Sequence, residues 1–372
     1  MARLSFFLLG LCLFGLINLP QECADQWRCN VVSALSPTWQ SVAPRRQKGA
    51  PASAFSGVEA GALRAQYQAL QELFLDEKRL QSQAESLAAV VGRNDSEKLR
   101  AKALRRADRL KRLLVLHYES IPAQVIFREP SSWSSTIWIS VGEADNRALG
   151  TTIVAQNSPV LANQSLVGVV EYVGETQSRV RLISDAGMVC AVRSVRGGMQ
   201  NNELTQHVQN LLTHVQVRQD LFASTEEQAR FVDMLAAFKN RLNDAEEEEL
   251  AKGEICGCSA PLFRSRKAIL KGTGFNYDFP DEAGPARDIK TGRVLGDHFS
   301  KETLLIQPGD LLVTSGFDGV FPAGIPVAIA TSIAPLKEGG FTYELEAKPT
   351  AGDLMDLQTV FVMPSLGTSK GL

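Results

Sequence analysis

From Gly57 to Ile121 the chain contains no proline, and its apolar residues fall at helical spacing. Leu63, Tyr67, Leu70 and Phe74 step by four, three and four, while Leu73, Leu80 and Leu87 recur at seven, with Ala84 and Val91 along the seam. The register shift between these two series is that of a stutter or stammer in a short coiled coil. A lone amphipathic helix of this length cannot bury its stripe unaided, so the pattern predicts self-association as a homodimer or higher assembly. Leu63, Leu70, Phe74, Leu80 and Leu87 are the expected dimerisation residues. Gly92-Arg93-Asn94-Asp95 interrupts the run, and Asp95 or Ser96 can cap a second helix carrying Leu99, Ala103, Leu110 and Leu113. That second half is strongly basic, which suits a solvated face or a contact to anionic lipid or an acidic partner.

Upstream, Leu4 to Leu19 carries no charge and follows a single basic residue, Arg3. Sixteen helical residues reach only about 24 Å against a hydrocarbon core of about 30 Å. The charge-free stretch extends through Gln21, however, and Arg3 can snorkel, so spanning is feasible. A cleaved signal wants small residues at its −3 and −1 positions, and Gln21 or Glu22 fits that poorly. An uncleaved anchor over residues 1–21 is therefore expected ahead of a cleaved signal or a core helix. Flanking charge only weakly favours placing the bulk of the chain outside the cytoplasm. Residues 22–56, with Pro37, Pro44 and Pro51 and no period, read as a linker. Cys23 and Cys29 could pair with each other or across a dimer in an oxidising compartment.

After Pro122 the texture changes to short β-branched runs set between Gly, Asn and Asp. STIWISVG, VGVVEYVG, RVRLISD and VCAVRSV form one block; LLIQPGDLLVTSG, VFPAGIPVAIATSI, FTYELEAKP and LQTVFVMP form another. Turn signals every 8–12 residues favour small barrels or a sandwich over βαβ units. Between the blocks, Gly198 to Gly253 reads helical, with a capping box at Ser224-Thr225-Glu226-Glu227. Its stripe is Phe231, Met234, Leu235, Phe238, Leu242 and Ala245. The expected plan is mainly β with helical parts: anchor 1–21, linker 22–56, coiled-coil helix 57–121, first β-barrel 122–197, helical insertion 198–271, second β-barrel 272–365 and tail 366–372. Strand exchange between the barrels is compatible with this plan.

The net charge of −2 and the 7% aromatic content exclude a chain built to coat nucleic acid. Candidate chemistry is sparse. Cys256-Gly-Cys258 lacks the spacing and second pair of a zinc ribbon, leaving metal, disulfide and free thiols as readings. His207 and His214 have no carboxylate at ligand spacing, and His298 lies just upstream of Thr314-Ser315-Gly316, where no Gly-x-Ser-x-Gly occurs. Gly272-Thr-Gly274 lacks the rest of a phosphate loop. No catalytic, cofactor or metal residues are assigned, and the chain is expected not to be an enzyme.

Two motifs stand out. One is Leu166-Val-Gly168-Val-Val-Glu-Tyr-Val-Gly174, followed by Ser178-Arg-Val180-Arg-Leu182-Ile-Ser-Asp185. The other runs Gly309-Asp310-Leu-Leu-Val313-Thr314-Ser315-Gly316-Phe-Asp-Gly319-Val-Phe321-Pro322-Ala-Gly324-Ile-Pro326-Val327. With a weaker echo at Arg128-Glu129-Pro130-Ser131-Ser132-Trp133 and the order of parts, the chain resembles the rod shape-determining protein MreC family from about Leu4 to Pro364. The resemblance implies a single-pass inner-membrane protein whose two barrels, chymotrypsin-like but non-catalytic, lie in the periplasm. It implies a homodimeric, non-enzymatic scaffold of the cell-elongation complex that positions peptidoglycan synthases. Its partners would be penicillin-binding protein 2, RodA, MreD and, indirectly, the MreB filament. Gly168, Gly174, Gly309, Asp310, Ser315, Gly316, Gly319, Phe321, Pro322, Gly324 and Pro326 would be its motif turns. The stretches Gly198–Lys271 and Phe275–Gly296 are longer than the family pattern leads one to expect. A periplasmic adaptor of an efflux or secretion system is the alternative, although no strand block precedes the helix here; a membrane-anchored trypsin-like protease has its candidate residues in the wrong order.

Overall fold

The computed structural model describes residues 26–29, 31–32, 93–129, 132–245, 247–258 and 269–366. The expected anchor, most of the linker, the first half of the long helix and the five dimerisation residues lie outside them. Among the described residues, no helix is long and apolar enough to cross a membrane.

Helix α1 (Arg93–Tyr118) opens the described body and runs into β1 (Ile121–Phe127). Its last turns are buried within this chain: Leu113 and Leu116 join the main core, and Leu110 and His117 are buried beside them. Of the apolar residues read on the second helical half, Leu110 and Leu113 are buried here, Leu113 in the core it shares with the barrels. Arg109 Nη2 donates to Glu249 Oε1 at 2.7 Å, and Arg105 Nη1 to the Glu282 carbonyl at 3.0 Å. At Gly324 (φ +99) an added Cβ would lie 3.1 Å from Leu113 Cδ1, so both the backbone and the helix contact favour glycine there.

Burial lowers the His117 imidazole from 6.5 to about 4. The unfolded chain takes up that proton below about pH 6.5, and the folded chain only near pH 4. Stability therefore falls as pH drops through that window, by roughly 3 kcal/mol in all. Replacing His117→Gln is expected to flatten the Tm–pH curve between pH 6.5 and 4; an unchanged slope would remove His117 from this role.

Two closed antiparallel barrels follow. The first joins β1 to β12 (Thr359–Val362), β3 (Pro159–Ala162), β4 (Ser165–Val173), β5 (Ser178–Leu182) and β2 (Thr136–Ile139), returning to β1. The second joins β10 (Pro326–Ile333), β11 (Tyr343–Pro349), β8 (Leu270–Asn276), β7 (Glu248–Gly257), β6 (Val189–Arg196) and β9 (Leu311–Thr314). Residues of both barrels and of α1 share one continuous apolar core. In β4, Gly168 lies so close to β5 that a Cβ would come within 2.1 Å of the Arg181 carbonyl oxygen. The two strands can pair this closely there only because the side chain is absent.

The strands do not respect the expected boundaries. β6, placed in the 122–197 barrel, belongs to the second barrel, and β7, placed in the helical insertion, pairs β6 with β8. β12, placed in the second barrel, sits between β1 and β3 and closes the first. The physical reason is closure. Chain 121–182 supplies five strands and leaves β1 and β3 unpaired at the seam, so a strand from elsewhere must fill it.

Among its described residues, the insertion is helical in α3 (Gly198–Val217), a short 3-10 turn (Gln219–Leu221) and α4 (Thr225–Asp244), and then turns into strand. Half of the expected capping box forms: Glu227 N–H donates to Ser224 Oγ, while Glu227 Oε2 accepts from the Ala223 amide, one residue before the cap, instead of from Ser224. Two short helical pieces were not expected: residues 26–29 and 31–32, and α2 (Glu143–Leu149) between β2 and β3. The latter is held by Asn146, whose Oδ1 accepts from the Ile153 and Val154 amides at 2.9 Å while its Nδ2 donates to the Val154 carbonyl. Cys29 Sγ lies 2.7 Å from where a Cβ on Gly174 would sit, which ties the amino-terminal piece to the first barrel.

Candidate interaction cleft

The two motifs meet across an open cleft of about 1110 Å³. Its first-barrel wall is the outer face of β4 and β5. There Arg179 Nε donates to Glu171 Oε2 at 3.0 Å, and Arg181 pairs with the other carboxylate oxygen. Arg179 also stacks over Trp138 at 5.9 Å, and Trp138 meets Tyr172 edge-on at 6.3 Å. Trp138 on β2 is thus buried on the outer side of its barrel under a guanidinium, with 1% of its surface exposed. The opposite wall is the turn after β9, which contributes Asp318, Val320 and Phe321.

That turn is built by its own polar side chains. Asp318 Oδ1 accepts the Val320 and Phe321 amides at 3.0 and 3.1 Å, and its Oδ2 accepts Ala191 N–H from β6. Thr314 Oγ1 donates to the Pro322 carbonyl and accepts from the Ile325 amide. Gly316 and Gly319 have φ of +79 and +67, where a side chain would strain the backbone. Ser315 Oγ donates to the Ala191 carbonyl at 3.1 Å and accepts from the Phe317 amide. Its hydroxyl is committed to the backbone rather than to a base. Pro326 starts β10, and Phe321 is buried beneath the turn.

At the far end of β9, Asp310 is fully buried and receives both arms of Arg196, at 2.8 and 2.7 Å, with the Gln307 amide at 2.8 Å. Gly309 (φ +93) makes the turn that brings its amide to the Ala330 carbonyl. The motif residues therefore fall in three places: 315–326 at the cleft, 309–310 at the other end of β9, and Gly168 and Gly174 in and after β4.

A second cluster escaped the sequence reading. On the second barrel, Arg193 pairs with Asp281, which also accepts from Lys252 Nζ and Tyr277 Oη at 3.1 Å each. Arg193 stacks 5.5 Å from Tyr277 and 5.8 Å from Phe317, and Lys252 Nζ sits 3.6 Å over Phe279. Burial works to raise the Asp281 carboxyl, but the donors from Arg193 and Lys252 outweigh it and hold it at about 2. The outcome is an exposed aromatic pair, Phe279 and Phe317, mounted on charges fixed from below. The available signal was Arg and Lys at interior positions of strand-like runs, which by residue type alone read as surface.

Cys190 is buried in β6, and burial, then the Asp318 charge, pushes its thiol up. Cys256 and Cys258 are free, as are Cys29 and Cys190. Among the described residues no group of three or more His, Cys, Asp and Glu could hold a metal.

Paired closed barrels, motif turns stitched to the backbone and a wide cleft define a two-barrel β protein. A family model for rod shape-determining protein MreC, barrel core, matches residues 125–232 and 281–364, and the chain belongs to that family. The family is one of structural proteins that determine cell shape. Similar solved structures include MreC from Listeria monocytogenes, 19% identical, covering 66% of this chain and 75% of that one with TM-score 0.39. MreC from Pseudomonas aeruginosa is also 19% identical, covering 66% and 99% with TM-score 0.37. A complex between penicillin-binding protein 2 and MreC from Helicobacter pylori is 10% identical over 66% and 97%, with TM-score 0.31. No curated protein matches the chain.

Proposed function

We propose that this chain is a non-enzymatic scaffold of the cell-elongation machinery, anchored in the inner membrane by residues 1–21 with its barrels in the periplasm. The family match across both barrels carries this reading. The family's partners come with it: penicillin-binding protein 2, RodA, MreD and, indirectly, MreB filaments. Dimerisation through Leu63, Leu70, Phe74, Leu80 and Leu87 doubles the number of barrel faces near the membrane and raises the effective concentration of paired synthases. The cleft and the Phe279–Phe317 surface are the faces that suit a partner, since both offer apolar area with charge held beneath it.

The test is covalent cross-linking in living cells followed by purification of the full chain. Recovery of the elongation transpeptidase or MreD is expected; recovery of an outer-membrane channel or a transporter would favour the adaptor reading. In parallel, Leu70→Asp with Leu80→Asp is expected to lower self-association in sedimentation and weaken that recovery. Unchanged dimerisation would sink the coiled-coil part.

A further inference from the structure

Among the described residues, the α3–α4 hairpin leaves an apolar face uncovered. Val208, Leu212 and Val215 of α3 are buried. Hydrogen bonds at three levels tie α3 and α4 side by side: Gln228 Nε2 to the Val215 and Gln216 carbonyls, Asn201 Nδ2 to the Leu242 carbonyl, and Lys239 Nζ to Gln209 Oε1. At about 100° per residue, Gln209 lies to one side of α3's buried line and Leu204 and Leu211 to the other. On α4, Lys239 likewise lies to one side of the line through Gln228, Leu235 and Leu242, with Met234 and Phe238 on the other. The Lys239–Gln209 bond brings the first two sides together. Leu204, Leu211, Met234 and Phe238 therefore share the opposite face, and they are 44%, 44%, 58% and 41% exposed.

We infer that this face is an interface with a second copy of the chain, forming a four-helix bundle about a two-fold axis parallel to the helices. On α3, Leu204, His207, Leu211 and His214 step by three, four and three, the seam spacing of a helix that packs lengthwise on another. The same hydrogen bonds also set the level of one helix against the other. With α3 laid on α4 of a second copy, Leu204 falls between Phe238 and Arg241, His207 between Met234 and Phe238, and Leu211 beside Met234. The charges match in the same arrangement. Glu203 is the one formal charge on α3, it is exposed, and it stands level with Arg241 of the second copy. A two-fold axis makes that pair twice, and a self-complementary patch is what an isologous dimer requires. A strongly charged partner would find little on α3 to answer it. This contact is separate from the coiled coil and adds a second joint between copies.

The full-length chain carrying a benzophenone photo-crosslinker in place of Phe238 is irradiated in cells. The expected product is a homodimer adduct whose second peptide lies within residues 198–217, while the same group at position 239 gives none. Glu203→Arg is expected to lower the adduct about tenfold by opposing like charges across the interface, and adding Arg241→Glu to restore it. Adducts to another protein, adducts mapping elsewhere on the chain, no dimer adduct, or failure of the charge swap to rescue would each overturn the inference. Because the readout is the peptide cross-linked, loss of the coiled coil and loss of this face give different results.

Discussion

Replacing Asp310→Ala is expected to lower Tm by about 6 °C, the largest effect of any single side chain on the motif turns. Asp310 has no exposed surface and accepts three N–H donors, two from Arg196 and one from Gln307. Arg196 is four-fifths buried, and its Nη1 also holds the Leu304 carbonyl. Removing the carboxylate strands a buried guanidinium, and breaking a buried pair from one side costs about 3–5 kcal/mol. For a chain larger than 250 residues one kcal/mol moves Tm by about 1–2 °C. A double-mutant cycle separates the pair from the turn. Arg196→Ala with Asp310→Ala is expected to cost clearly less than the two single changes added, because the second removal takes away the stranded partner. Additive losses would mean that Asp310 acts only through the 307–310 turn.

Truncating the chain before β12 has the second large effect. Val360, Phe361, Val362 and Met363 are all buried, and the strand pairs Ile121–Gln124 on one side and Val160 and Leu161 on the other. Without it the first barrel has two facing edges and a breach into its core. Amide exchange is expected to lose protection in β1 and β3 while β8, β10 and β11 keep theirs. A synthetic peptide spanning residues 357–366 is expected to restore protection when added, since the slot it fills is preformed on both edges. Protection in β1 and β3 that survives truncation would show that the barrel closes without its borrowed strand.

Much of the architecture was legible in the chain because it rests on local periodicity. The two strand blocks, the capped α4 helix and the glycine turns at 316, 319 and 324 each announce themselves within a few residues. What was not legible depends on distant partners. TVFV at 359–362 reads as a strand, but only the vacancy between β1 and β3 decides which barrel receives it. β7 opens with acidic residues and holds Gly253, so it read as the end of the helical stretch, whereas Glu249 is buried against Arg109 and Lys252 under Phe279. α2 is short and polar, held by Asn146 rather than by an apolar stripe. The cleft was invisible for the same reason: the nearest lining residues of its two walls, Arg181 and Asp318, are 137 residues apart in the chain, and Arg179 and Trp138 acquire their roles only when stacked.

The borrowed strand also sets an order of events during synthesis. All six strands of the second barrel lie between β5 and β12, so that barrel can close while the first is still waiting for its last piece. At roughly 5–20 residues per second, the interval between β3 and β12 leaving the ribosome is on the order of ten seconds or more. Throughout it, the edges of β1 and β3 stay open to any passing strand. The first barrel is thus a proof of completion: a chain that stops short shows it as an unsealed seam, next to the helix that leads back toward the amino end.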